Sequence, residues 1–317
     1  MKDYKIEARL QKGWNWMVAV YLFLGGVGSG AYVFGAFAGF MGWPDLAKIG
    51  VVLSLPTVVI GTLFLVAHLG SPLHAYLTPS KVKTSWISRG VIFISLFMLF
   101  SFIHIIAIFM GKGADQGINF VAVLGIICAL GTMLYTGALL SASKGVPFWE
   151  SGIMPVLFMF SALVTGLFSV LLINNLGVGG PIDPVVAEKL ALIALGLLVG
   201  EAVVLFFFLY SAYQLPGSKD PVVMLLHKPS FVYGDVVLGL LVPILLMLAV
   251  IAAKGGGGTS GMIILAGMLA LIGGMLLRFG IVSVGMRASY NISGFEFRLN
   301  TKLDPKTMVG KVPPGNI

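Results

Sequence analysis

Eight apolar runs, each long enough to cross a bilayer, leave this chain little choice of fold class. They lie at about residues 14–40, 48–70, 88–110, 119–142, 152–174, 188–213, 233–253 and 260–284. A helix needs about 20 apolar residues to cross the hydrocarbon core. Lipid offers the backbone no hydrogen bonds, so such runs are predicted to be helices. The breaks carry turn chemistry: GWPD (42–45), GSPLHAYLTPSK (70–81), GKGADQG (111–117), SKGVPFWES (143–151), NNLGVGGPIDP (174–184), QLPGSKDP (214–221) and KGGGG (254–258). Short loops make successive spans antiparallel, and an even number puts both termini on one side. The expected fold is an all-α integral membrane protein with eight transmembrane helices over residues 1–286, followed by a polar C-terminal tail, 287–317.

Composition agrees. The protein is 58% hydrophobic and 10% charged, with mean hydropathy +1.02, against roughly 25% charged residues in a soluble domain. The net charge of +8 forms no basic stripe with interleaved aromatics, so nucleic acid is not an expected partner. Lys and Arg divide unevenly: fifteen on the terminus side, four (Lys48, Lys112, Lys189, Lys254) on the other, with Arg278 inside a span. The positive-inside rule then places both termini in the cytoplasm; a basic face that docks an acidic partner gives the same count. The single cysteine, Cys128, cannot form an iron–sulfur or structural zinc site, so any such centre is expected in a partner. The charged start, MKDYKIEARLQKG, runs into an apolar stretch too long for a signal-peptide core, which is read as a retained first span.

Polar side chains at membrane depth carry the functional signal, because each is expensive unless it is satisfied or used. Gln11 and Asn15 are one helical turn apart at the start of span one. His68 closes span two and His74 follows it. Ser85, Ser88 and Arg89 open span three, Tyr135 lies near the end of span four, and Asp235 starts span seven. In an antiparallel bundle all fall at one membrane level. Such a set suits a quinone, whose carbonyls become hydroxyls on taking up two electrons and two protons: Gln, Asn, His and Tyr donate or accept, and His and Asp carry protons. The plainer alternatives are helix caps and interface anchors for Gln11, Asn15 and Tyr135, and a loop-orienting role for His68.

Three ionisable residues lie deeper. Glu201 is near the middle of span six, Arg278 two-thirds along span eight, and His104 in the far half of span three. They are expected to serve as a proton path or as structural pairs between spans. His68 and His104 sit at different depths, which disfavours bis-histidine haem. A different class of function, a transporter or channel with a midplane site on Glu201, Arg278 and His104, calls for matched Gly/Pro interruptions in two repeats; Pro56 and Pro243 are a poor match. The glycines of GGVGSG (25–30) follow no strand and lie mid-span, so they are not a dinucleotide loop. Gly26 and Gly30 instead form a G-x-x-x-G face for close helix packing.

The stretch WNWMVAVYLFLGGVGSGAY resembles the first-span signature of the NrfD/PsrC family of polysulfide-reductase-type membrane subunits. GTLFLVAHLGSPLHAY, TSWISRG, LYTGALLSASKGVPFW, MPVLFMFSALVTG and RFGIVSVG continue the resemblance in order along nearly the whole sequence. The resemblance implies two four-helix bundles in the inner (cytoplasmic) membrane and no haem or iron–sulfur cluster in this protein. It implies electron exchange between menaquinone or ubiquinone and an iron–sulfur subunit that serves a molybdopterin catalytic subunit. It also implies a quinone held by polar residues at the start of span one and by a span-four tyrosine. In this sequence these are Gln11, Asn15 and Tyr135, with His68 and Arg89 beside them and Asp235, Glu201, Arg278 and His104 as proton-path candidates. Two positions depart from the pattern. Asn15 stands where histidine is frequent and cannot take a proton as histidine does. His68, in HLGSP, stands where many members have an acid, a form closer to dimethyl-sulfoxide-reductase-type anchors. His68 is therefore the candidate for the proton chemistry that Asn15 lacks.

Overall fold

In the computed structural model, residues 9–11, 13–68, 86–113, 116–143, 145–215, 217–254, 256, 258–287, 291–292 and 295–296 are described. Eight helices among them are long and apolar enough to cross a membrane. They are α1 (Trp16–Phe40), α2 (Pro44–His68), α3 (Trp86–Phe109), α4 (Gln116–Ser141), α5 (Met154–Ile173), α6 (Pro184–Gln214), the seventh span Ser230–Ala252 and α9 (Thr259–Ser283). A short amphipathic helix, α7 (Lys219–Leu226), precedes the seventh span, where the sequence predicts only a turn. The molecule is therefore a multi-pass membrane protein of the all-α class.

Local chemistry fixes the helix ends. Asn15 is extended and accepts from the Met17 N–H at 3.0 Å, which starts α1. Asp183 caps α6 in the same way through Val185, and Pro184 supplies a first-turn residue whose missing N–H is not needed. Beyond α1 and α3 the backbone reverses at Gly42 and Gly111, both in the left-handed region at φ +75° and +73°, where a side chain would be strained.

α1 and α5 are the most enclosed spans. Each has 67% of its most apolar window buried within the protein, against 28–39% for the other six. α1 packs on α2, α4, α5 and α9, and α5 packs on α1, α4, α6 and α9. The glycines permit this. A Cβ on Gly30 would run into the Ala162 carbonyl and the Gly166 backbone of α5, while Gly35 of α1 lies against Gly50 of α2. The G-x-x-x-G face is thus a packing seam.

The seventh span is not wound uniformly. Ser230–Leu241 is π-helical and returns to α-helix as α8 (Val242–Ala252), where Pro243 has no N–H to give. Gly239 in this segment meets Gly273 of α9 backbone to backbone. At the terminus side, β1 (Arg9–Leu10) pairs antiparallel with β2 (Met286–Arg287). The start and end of the membrane domain therefore meet on one side of the bundle.

Candidate functional site

Tyr135 reaches its position because α3 offers no side chain where its ring lies: a Cβ on Gly90 would fall inside the phenol. On the other side stands Tyr21 of α1, near enough for the two phenols to interact electrostatically. Both hydroxyls are buried and lie within interaction range of each other, but neither makes a hydrogen bond of good geometry to a described residue. Tyr21 is five residues past the start of α1, Tyr135 six before the end of α4, and Gly90 four past the start of α3. At 1.5 Å per residue the pair sits roughly 8 Å below the helix ends. A buried hydroxyl left without a well-formed hydrogen bond is destabilising by about 1–3 kcal/mol, and the described residue within reach of each phenol here is the other. Nothing in the sequence singles out Tyr21.

Above this pair lie the other residues expected at this end. Asn15 is exposed, and its Oδ1 is engaged as the α1 cap. His68, the last residue of α2, and Arg89, in the first turn of α3, are half-buried. His74 and Ser85 lie outside the described residues. Gln11 differs from expectation. α1 begins only at Trp16, so Gln11 and Asn15 do not share a helical face. Gln11 Nε2 donates to the Trp14 carbonyl (2.8 Å) and the Val282 carbonyl of α9 (3.1 Å), and Oε1 accepts from the Trp14 N–H (2.7 Å). Its amide ties the start of the polypeptide to the end of α9. Trp149 adds to this clasp by stacking edge-on against Trp14 at 5.7 Å and donating to the Ile281 carbonyl at 3.1 Å.

On the other flank of α1, at nearly the same depth, is a buried charged cluster. Arg278 is fully buried. It donates to the Leu22 carbonyl (3.2 Å), to Ser161 Oγ (2.9 Å) and to the Gly274 carbonyl (2.7 Å). Its guanidinium lies 5.7 Å from the Phe23 ring and 5.5 Å from that of Phe158. Two glycines make the room: a Cβ on Gly26 would stand 2.8 Å from Nη2, and one on Gly274 3.3 Å from Nη1. Glu201 lies beside Ser161 and within electrostatic reach of Arg278, and Asp235 interacts with both charged groups. Asp235, expected near the surface from its place at the start of span seven, thus joins Glu201 and Arg278; its Oδ2 is buried with no partner among the described residues. Outside the spans, Lys228 donates to Ser283 at 2.7 Å, and partial burial lowers its pKa from the ordinary lysine value.

His104 does not belong to this cluster. It is buried between α1 and α3, where its Nδ1 bonds the Tyr32 hydroxyl at 3.1 Å. Glu201, Arg278 and His104 therefore do not form one midplane site. Among the described residues, no group of three or more His, Cys, Asp or Glu could hold a metal ion.

Comparison with known proteins bears on the same stretch of sequence. The protein is 28% identical over 303 residues to the polysulfide reductase C subunit of Wolinella succinogenes, covering 86% of this sequence and 94% of that one. It is 25% identical over 306 residues to an NrfD homolog of Haemophilus influenzae, with the same coverage, 86% and 94%. Over 180 residues it is 29% identical to protein NrfD of Escherichia coli, covering 48% of this sequence and 57% of that one. The model of the family described as polysulphide reductase, NrfD, matches residues 6–288, so the protein belongs to that family.

Proposed function

We propose that this protein is the quinone-reactive membrane subunit of a respiratory redox complex, exchanging electrons between a membrane quinone or quinol and an iron–sulfur partner docked at the terminus side. The observation that carries this reading is the pair of facing, buried hydroxyls on Tyr21 and Tyr135, neither of which makes a well-formed hydrogen bond to a described residue. A quinone carbonyl would give either phenol a well-formed acceptor, and a quinol hydroxyl can donate to either oxygen. The Asn15 amide, His68 and Arg89 would line the approach, with His68 taking or giving the proton. Gln11 is better assigned to positioning, because backbone groups occupy its amide. This subunit contributes no electron carrier in the scheme; the partner takes one electron pair per quinol, and two protons leave through side chains and water. A polysulfide reductase C subunit and NrfD proteins among the relatives support a complex whose catalytic subunit, of molybdopterin type, lies beyond the iron–sulfur subunit.

In this reading α1–α4 form one four-helix bundle, with the tyrosine pair, and α5, α6, the seventh span and α9 form the other, α1 and α5 packing across the seam between them. Asp235, Glu201 and Arg278 in the second bundle are the proton-path candidates. An unpartnered carboxylate oxygen in a π-helical segment suits that role, since such segments concentrate at functional sites. The direct test is quinol oxidation by the purified complex. Tyr135→Phe and Tyr21→Phe are each expected to lower kcat/KM about tenfold, the worth of one hydrogen bond to a developing charge. Unchanged activity in both variants, or a protein that purifies with no iron–sulfur subunit, would overturn the reading.

A further inference from the structure

The faces that α1 and α4 turn to each other carry a row of hydroxyls that the quinone reading uses only at its first step. On α1, Tyr21, Gly25, Ser29 and Tyr32 follow one another at steps of three or four residues and so share a face. Two glycines fix that face toward α4. A Cβ on Gly25 would stand 3.9 Å from both Thr136 Cγ2 and Tyr21 Cε2, and one on Gly125 would strike the Tyr32 hydroxyl. On α4, Thr132 lies on the same side as Gly125 and Thr136, one turn from the latter. Ser29, Tyr32, Thr132 and Thr136 are all at most 1% exposed.

The hydroxyls in the middle of the row do not hold the two helices together. Ser29 Oγ donates to the Gly25 and Gly26 carbonyls (2.6 and 3.1 Å), Thr132 Oγ1 to the Cys128 carbonyl (2.9 Å) and Thr136 Oγ1 to the Met133 carbonyl (2.6 Å), each within its own helix. Alanine would serve close packing as well, so the packing of α1 on α4 does not explain them. Each oxygen, having donated, keeps lone pairs with which to accept. The row ends on an interhelical bond of another kind: the Tyr32 hydroxyl meets His104 Nδ1 of α3 at 3.1 Å. His104 is five residues before the end of α3, roughly 8 Å below it. From Tyr21 to Tyr32 the row climbs roughly 16 Å. It therefore runs from the tyrosine pair at the terminus side to an imidazole near the opposite face.

We propose that this α1–α4 seam carries quinol protons from the tyrosine pair to the face remote from the termini, a route that rests on the quinone reading and is separate from the carboxylates of the second bundle. Each quinol oxidised gives two electrons to the iron–sulfur partner and two protons to the seam. Each hydroxyl takes a proton on its oxygen as it passes its own to the next, and no seam residue is altered at the end. Successive hydroxyls on α4 are one turn, roughly 6 Å, apart, a step that one bridging water completes. The imidazole of His104 takes the proton from Tyr32 at Nδ1 and gives up the one on its other nitrogen toward the remote face. Thr136, Thr132 and Ser29 carry the middle of the route, and Tyr32 and His104 its exit.

The test uses the whole complex in liposomes, oriented with the termini outward, with one pH dye in the lumen and another outside. Quinol is supplied in the membrane and ferricyanide outside, which takes electrons from the partner but no protons. The lumen is expected to acidify as ferricyanide is reduced. Thr132→Val keeps the branched shape and removes a hydroxyl that joins no other helix, so its melting temperature and quinol KM should match the parent's. Lumen acidification should nonetheless slow about tenfold or more, and likewise in Tyr32→Phe, the scale of a lost proton-transfer group. Acidification of the outer medium alone by the parent, or parental lumen acidification in both variants, would overturn the proposal and leave the quinone site standing. So would a slowing that only tracks a lowered melting temperature. Parental ferricyanide reduction by both Tyr21→Phe and Tyr135→Phe would instead remove the quinone site, and this route with it.

Discussion

The two phenols and the one guanidinium pose opposite problems at the scale of a residue. Tyr21 and Tyr135 hide hydroxyls that make no well-formed hydrogen bond to a described residue, whereas the buried Arg278 donates from Nε to Leu22 and from Nη1 to Ser161 and Gly274. Removing an unsatisfied buried hydroxyl relieves a desolvation penalty. Tyr21→Phe and Tyr135→Phe should therefore leave the melting temperature of the detergent-solubilised protein unchanged or slightly raised while quinol oxidation falls. A residue that served only the fold would move both measurements down together. Arg278→Met should do the reverse of a neutral change, because it strands Glu201 and Asp235 as buried, uncompensated carboxyls. Breaking such a set costs about 3–5 kcal/mol, read as an early, broadened unfolding transition. Adding Glu201→Gln and Asp235→Asn to the same variant should restore part of it. Tyr135, Glu201, Arg278 and Asp235 are legible in the sequence, because a polar group inside an apolar run stands out by itself. Their grouping is not, since Ser161, Gly26 and Gly274 build the guanidinium's cradle from three different spans. Tyr21 escapes notice for a similar reason: what marks it is the lack of a well-formed hydrogen bond, and only packing reveals that.

The spans themselves are legible at the scale of the element, because hydrocarbon thickness sets their length and the backbone has no alternative inside lipid. The irregular parts are not. In the π-helical stretch Ser230–Leu241, Gly239 docks against Gly273 of α9, a contact between two spans that neither run announces by itself. α7 is too short to announce itself, and the start of α1 at Trp16 rather than before Gln11 is fixed by one cap bond. The glycine seam yields a prediction for the α1–α5 contact. Gly30→Ala places a methyl into the backbone of α5 and should lower stability by about 1–3 kcal/mol or more, since neither backbone can yield as a side chain would. Gly196→Ala in α6 meets nothing within 4 Å and should stay within about 0.5 kcal/mol of the parent. Parallel melting curves of the two variants in one detergent separate a packing seam from a general intolerance of added bulk.

Orientation is decided by the whole molecule, and here two independent features converge. Pairing of Arg9–Leu10 with Met286–Arg287 brings both ends of the membrane domain to one side, beside Gln11 and the tyrosine pair. By the order of spans along the sequence, fifteen of the twenty Lys and Arg residues are expected on that side, where the positive-inside rule places cytoplasm. Docking of an acidic iron–sulfur partner would produce the same basic face on the outer surface, so charge alone does not separate the two. Reporter fusions do. With the termini in the cytoplasm, a green fluorescent protein joined after residue 317 should fluoresce and an alkaline phosphatase there should stay inactive, while phosphatase inserted near Lys112 or Lys254 should be active. The inverse pattern would move the quinone site and its partner to the outer face. In that case the basic residues would have been placed for docking, and their replacement by glutamine should release the partner without turning the spans around. If the cytoplasmic assignment holds, the same replacements on the short loops should instead scramble insertion.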